Sequence, residues 1–123
     1  MNHKMAVFLN GIVQLEYDHN VPLPEQQVSF LDKMDEKMDL GISVDGQTIH
    51  NPDLSQRTQF VAGNMAHALL NSNDIQALQM CTYLANRIAD LKQVRIDEKD
   101  GQITIDLVFD EEYKKQVSVQ FTH

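Results

Sequence analysis

Val94-Arg95-Ile96-Asp97-Glu98-Lys99-Asp100-Gly101-Gln102-Ile103-Thr104-Ile105-Asp106-Leu107 decides the fold. Apolar and polar residues alternate on both sides of Asp100-Gly101, so each arm reads as a strand with one apolar face. Asp-Gly is a strong two-residue hairpin signal because both positions must adopt positive φ. With that turn, Ile96 falls opposite Ile105 and Arg95 opposite Asp106, so pattern, turn and charge pairing agree on one register. A third alternating run, 116–122, carries Val117, Val119 and Phe121. The sequence therefore predicts a three-stranded antiparallel meander with one apolar and one wet face.

The apolar face needs a cover, and the segment upstream supplies one. A helix over about 52–71 carries Leu54, Val61, Met65, Ala68 and Leu69, with Asn51 as cap and Pro52 in its first turn. Asn71-Ser72-Asn73-Asp74 interrupts it. A second helix over about 74–93 directs Leu78, Cys81, Leu84, Ala85, Ile88 and Leu91 inward. The short connection makes the two an antiparallel pair, and Ala62, Gly63 and Ala66 permit close approach.

Further upstream, Pro24 opens a helix over about 24–40 with Val28, Leu31, Met34 and Met38 along its stripe and Gly41 at its end. Asp45-Gly46 then joins two very short strands that place Ile42 opposite Ile49. At the start of the chain, residues 5–17 fit either a hairpin or a helix. Asn10-Gly11 and the β-branched Val7, Ile12 and Val13 favour the hairpin. The expected fold class is α+β: a C-terminal meander under an antiparallel helix pair, with a further helix and a hairpin before them. At 123 residues, without an internal repeat or linker-like tract, the chain reads as a single domain over 1–123.

Eighteen acidic against 10 basic residues give a formal charge of −8. Such a surface repels phosphate backbones and anionic lipid, so neither a nucleic-acid nor a membrane partner is expected. The single cysteine, Cys81, lies on an apolar stripe and forms no internal disulfide, which fits the cytoplasm. No cofactor is expected either, because the glycines are isolated and build no phosphate-cradling loop. Asp97, Glu98 and Asp100 beside Gly101 fail as a calcium loop. Aligning that glycine puts Ile96 and Leu107 at positions that need oxygen ligands. Glu16 and His19 have Glu-x-x-His spacing but occur once, beside Pro22. His67 has neither a nucleophile nor a carboxylate at helical spacing and reads as an exposed helix residue.

One feature points outward. Asp32, Asp35, Glu36 and Asp39 recur at three- and four-residue spacing and border Met34 and Met38. Methionine adapts to varied apolar partners. The acidic ridge with its methionines is thus the candidate dock for a basic or amphipathic protein. The expected function is non-enzymatic binding or regulation through protein contacts, with a homodimer formed through the edge of 116–122. A dimeric export or secretion chaperone is one alternative. An enzyme using Asp18, Asp32 or Asp53 in a cleft formed by folding is the other.

Overall fold

The computed structural model describes residues 4–111. Nine elements follow in order. They are β1 (Lys4–Leu9), β2 (Ile12–Asp18), α1 (Glu25–Leu40), β3 (Ile42–Val44), β4 (Gln47–Ile49), α2 (Leu54–Leu70), α3 (Asp74–Arg87), β5 (Gln93–Lys99) and β6 (Gln102–Val108). The class is α+β as the sequence predicts. The third meander strand, 116–122, lies outside the described residues.

Three hairpins close on residue pairs with positive φ: Asn10-Gly11, Asp45-Gly46 and Asp100-Gly101. Positive φ at both central positions is the primed turn whose twist matches the paired strands. The predicted registers are present, with Ile96 paired to Ile105, Arg95 to Asp106 and Ile42 to Ile49. Residues 5–17 form the hairpin rather than the helix. Its register shifts between Val7 and Phe8, leaving Gln14 as the extra residue of a bulge on β2.

The main sheet runs β2-β1-β5-β6. Its join is parallel, with Val7 beside Val94 and Leu9 beside Ile96. Asn10 seals the end of that join: its N–H donates to the Ile96 carbonyl at 2.8 Å, and its Oδ1 accepts from the Glu98 N–H at 2.9 Å. The sheet is therefore mixed, and β5, between β1 and β6, is an inner strand.

On one face, Met5, Val7, Val94 and Ile96 are buried together with Val61, Met65, Cys81 and Leu84 from the helix pair. Burying this apolar surface supplies the main favourable term in folding. The other face is not uniformly wet as the alternation implies. Ala6, Gln93 and Val108 are buried there. Chain beyond β6 returns across it, because the Gln93 side chain donates to the Glu111 carbonyl at 2.9 Å and Arg95 pairs with the Glu111 carboxylate at 3.5 Å.

The helix boundaries also depart from expectation. α2 is capped by Asp53, not Asn51. The Asp53 carboxylate accepts from the Gln56 N–H at 2.8 Å while Gln56 Oε1 accepts from the Asp53 N–H at 2.9 Å. This is a reciprocal capping box, which satisfies two otherwise orphaned donors. α3 ends at Arg87, six residues before Gln93, because Leu91 and Lys92 are committed elsewhere. Leu91 N–H donates to the Ile88 carbonyl at 3.1 Å and Lys92 N–H to the Val108 carbonyl at 2.9 Å, which delivers the chain into the sheet.

Gly63 is not the packing residue that its neighbours suggest. Ala62 and Ala66 are buried, but a Cβ added at Gly63 meets nothing within 4 Å. Gly63→Ala is therefore expected to stabilise the protein by about 1 kcal/mol, through helix propensity alone. Thermal unfolding checks this, and an unchanged or lowered midpoint would contradict it.

Candidate functional site

The aspartates of the sequence-predicted dock are all paired within the fold, with Asp35 half-buried and Asp32 and Asp39 exposed. Asp35, halfway along α1, accepts from the Tyr83 hydroxyl at 2.5 Å, from Arg87 Nε at 3.0 Å and from Arg57 Nη1 at 3.3 Å. Asp32 holds Arg87 Nη2 at 2.8 Å, and Asp39 pairs with Arg57. Arg57 also donates to the Pro52 carbonyl at 3.0 Å and the Asp35 carbonyl at 3.1 Å. A lattice of two arginines, three aspartates and one tyrosine thus joins α1 to the start of α2 and the end of α3. Charge-assisted hydrogen bonds of this kind are stronger than neutral ones.

The lattice explains two proton affinities. The hydrogen bond to Asp39 holds Arg57 above the ordinary guanidinium range against a smaller opposing effect of burial. Burial first, and the Asp35 carboxylate second, push the Tyr83 hydroxyl up. Tyr83 stays protonated and acts as a donor. Burial likewise pushes the Cys81 thiol up to about 12, which makes it an inert core group at neutral pH.

The predicted methionines turn inward. Met38 is buried and Met34 packs half-buried against the core. Glu36 is exposed on the same helix. The ridge therefore does not present Asp32, Asp35, Glu36 and Asp39 as equally free charges with Met34 and Met38 as an apolar border. Its three aspartates already have cationic partners in the fold.

The structure does not gather the carboxylates considered for catalysis. Asp18 accepts from the Asn20 N–H at 2.9 Å, Asp32 pairs with Arg87, and Asp53 caps α2. The Asp97 to Gly101 segment is a hairpin turn in which Glu98 accepts from the Gly101 N–H at 2.9 Å. Among the described residues, no group of three or more metal-ligating side chains is placed to hold an ion.

What the sequence missed is a groove. It has a volume of about 460 Å³ and runs between α1 and α3, with Tyr17 of β2 at its base. Gln26, Gln27, Phe30 and Leu31 form one wall; Ile75, Leu78, Gln79 and Thr82 form the other. Ile75 is 74% exposed, Leu78 53% and Phe30 36%. Periodicity predicts Leu78 inward, and the structure turns it out. It lies about 100° around the helix from Ala77, and the buried stripe of α3 runs instead through Ala77, Cys81, Leu84 and Ala85. Tyr17 is fixed from above, its hydroxyl accepting from the Asn86 amide at 2.9 Å.

Among the described residues, no charged side chain lines the groove. Two carboxylates flank it in sequence, however: Glu25 precedes Gln26 and Asp74 precedes Ile75, both exposed at the first turns of their helices. The site is an apolar channel with amide edges and acidic neighbours.

No family model matches this chain, and neither a curated protein nor a solved structure does. Among the described residues, what is defined is an α+β fold with a mixed four-stranded sheet, three helices, and an open groove between two of them. Among the described residues, no helix is long and apolar enough to cross a membrane.

Proposed function

We propose that the protein is a non-enzymatic binding module that takes an amphipathic helix of another protein into the α1–α3 groove. The observation carrying this reading is the exposure of Ile75, Leu78 and Phe30 along one continuous channel. Exposed apolar surface of this kind is costly in a lone protein and is characteristic of interaction sites. A helix laying apolar side chains at i, i+3, i+4 and i+7 into a groove is a recurrent mode of recognition. The partner's flanks are basic. Glu25 and Asp74 stand beside the lining residues, and a net charge of −8 draws cations toward the surface. The reading keeps the basic, amphipathic partner of the sequence analysis but moves its seat from the aspartate ridge to the groove.

Selection from a displayed library of amphipathic helical peptides tests this, followed by titration of the enriched peptides. Enrichment should favour spaced Leu, Ile, Phe or Met with Lys or Arg at the ends. Ile75→Glu with Leu78→Glu should weaken their binding by about tenfold or more, since truncated interface anchors commonly cost over 1 kcal/mol each. Both residues are exposed, so the variant should keep its circular dichroism. Failure to enrich, or binding indifferent to this pair of changes, would overturn the proposal. Recovery of many unrelated unfolded sequences would support the chaperone alternative instead.

A further inference from the structure

α1 is held to the molecule differently from its neighbours. Of its 16 residues only Leu31 and Met38 are buried, whereas the buried residues of α2 run through Thr58, Val61, Ala62, Met65, Ala66 and Ala68. Beside the half-buried Met34, its further attachment is largely the polar lattice on Asp32, Asp35 and Asp39. Apolar burial is lost outright when an element leaves the core, but hydrogen bonds and ion pairs are largely replaced by water. An element held this way opens at smaller cost than one held by packing.

Its two ends differ as well. Before α1, residues 19–24 form a connection in which all but Leu23 are exposed. That gives the helix N-terminus slack. After it, Gly41 has φ of 140°, and a Cβ there would approach His50 and Thr48 to 3.4 Å. The same end is bonded to the β3–β4 hairpin, with Asn51 N–H donating to the Asp39 carbonyl at 3.3 Å and His50 Nδ1 lying 3.1 Å from the Leu40 carbonyl.

We infer that α1 is a hinged arm: it pivots at its Gly41 end and opens as a unit while the sheet and the α2–α3 pair stay folded, with Asp35 as the latch. Among the described residues, Asp35 is the α1 residue whose side chain hydrogen-bonds to both neighbouring helices, through Arg57 and through Tyr83 and Arg87. Opening swings Gln26, Gln27, Phe30 and Leu31 away from α3, so the width of the groove depends on the latch. The inference rests on how α1 is attached and holds whatever occupies the groove.

Native-state hydrogen exchange on the full chain across a urea series tests it. Amides from Val28 to Asp35 should exchange through an opening with a much shallower urea dependence than those of Val94 and Ile96. Asp35→Asn should speed exchange in α1 by about ten- to a hundredfold, the worth of a hydrogen bond to a charged group, and should leave the shallower urea slope of α1 relative to β5 in place. Glu36→Gln on the same helix should change neither. If α1 and β5 amides share one rate and one urea slope in the wild-type chain, the arm does not open separately and the inference fails. The wild-type series decides this even where a variant does not fold. An α1 exchange rate unmoved by Asp35→Asn would overturn Asp35 as the latch as well.

Discussion

Asp35→Ala is expected to cost about 3 kcal/mol, the low end of the range for breaking a buried ion pair by removing one partner. The low end applies because the Asp35 side chain keeps 30% of its surface exposed. The loss comes from what remains. Tyr83 is fully buried and would hold a hydroxyl with no carboxylate to receive it, while Arg57 and Arg87 would each lose an acceptor. A buried donor left unmet is itself worth about 1–3 kcal/mol. Tyr83→Phe removes only one donor and should cost about 1 kcal/mol. Urea unfolding followed by circular dichroism provides the measurement. An Asp35→Ala midpoint within about 0.5 kcal/mol of wild type, the range of neutral surface changes, would show that Asp32 and Asp39 absorb the released arginines.

That cost bears on how the acidic ridge is read from sequence. Aspartates at three- and four-residue spacing identify one face of a helix, but not what lies opposite. Arg57 and Arg87 are 22 and 52 positions from Asp35, and no local pattern links such distant residues. The sequence separation explains why the arginine partners of Asp32, Asp35 and Asp39 leave no trace in the sequence. The groove was hidden for the related reason that its walls come from different helices. Leu78 reads as an ordinary stripe residue, and Phe30 stands off the α1 stripe with no assigned role, until α1 and α3 are placed side by side.

Local chemistry was the legible part. Asn10-Gly11, Asp45-Gly46 and Asp100-Gly101 each carry their own turn geometry, and alternation on both sides sets the pairing. Most helix interiors followed from periodicity, although Val28, Leu54 and Leu78 are exposed. Their ends did not, because α3 stops where Lys92 must meet Val108 across the sheet, a contact with no trace in the helical pattern. The capping box at Asp53 and Gln56 was legible in principle from Asp-x-x-Gln spacing; the neighbouring Asn51-Pro52 pair drew the boundary two residues early. The parallel join of β1 to β5 left no local signal, because it brings together segments from opposite ends of the chain.

The same join sets the second large effect. In the three-stranded meander expected from sequence, the 102–108 strand is the middle one, and Ile105 would be the costliest residue to truncate. In the structure β5 lies between β1 and β6, and Ile96, beside Leu9 on one side and Ile105 on the other, is fully buried. Ile105 is only partly buried. Ile96→Ala should therefore cost about 3–4 kcal/mol, within the range for buried Ile or Leu to Ala, where the lost methylenes leave a cavity that surrounding chain closes only in part. Ile105→Ala should cost less than Ile96→Ala. Ile12→Ala, 65% exposed on the outer strand β2, should fall within about 0.5 kcal/mol of wild type. The order Ile96, Ile105, Ile12 reports strand position independently of any partner. A larger loss at Ile105 than at Ile96 would count against the β1–β5 join, since a strand without β1 beside it has no reason to be the better buried of the two.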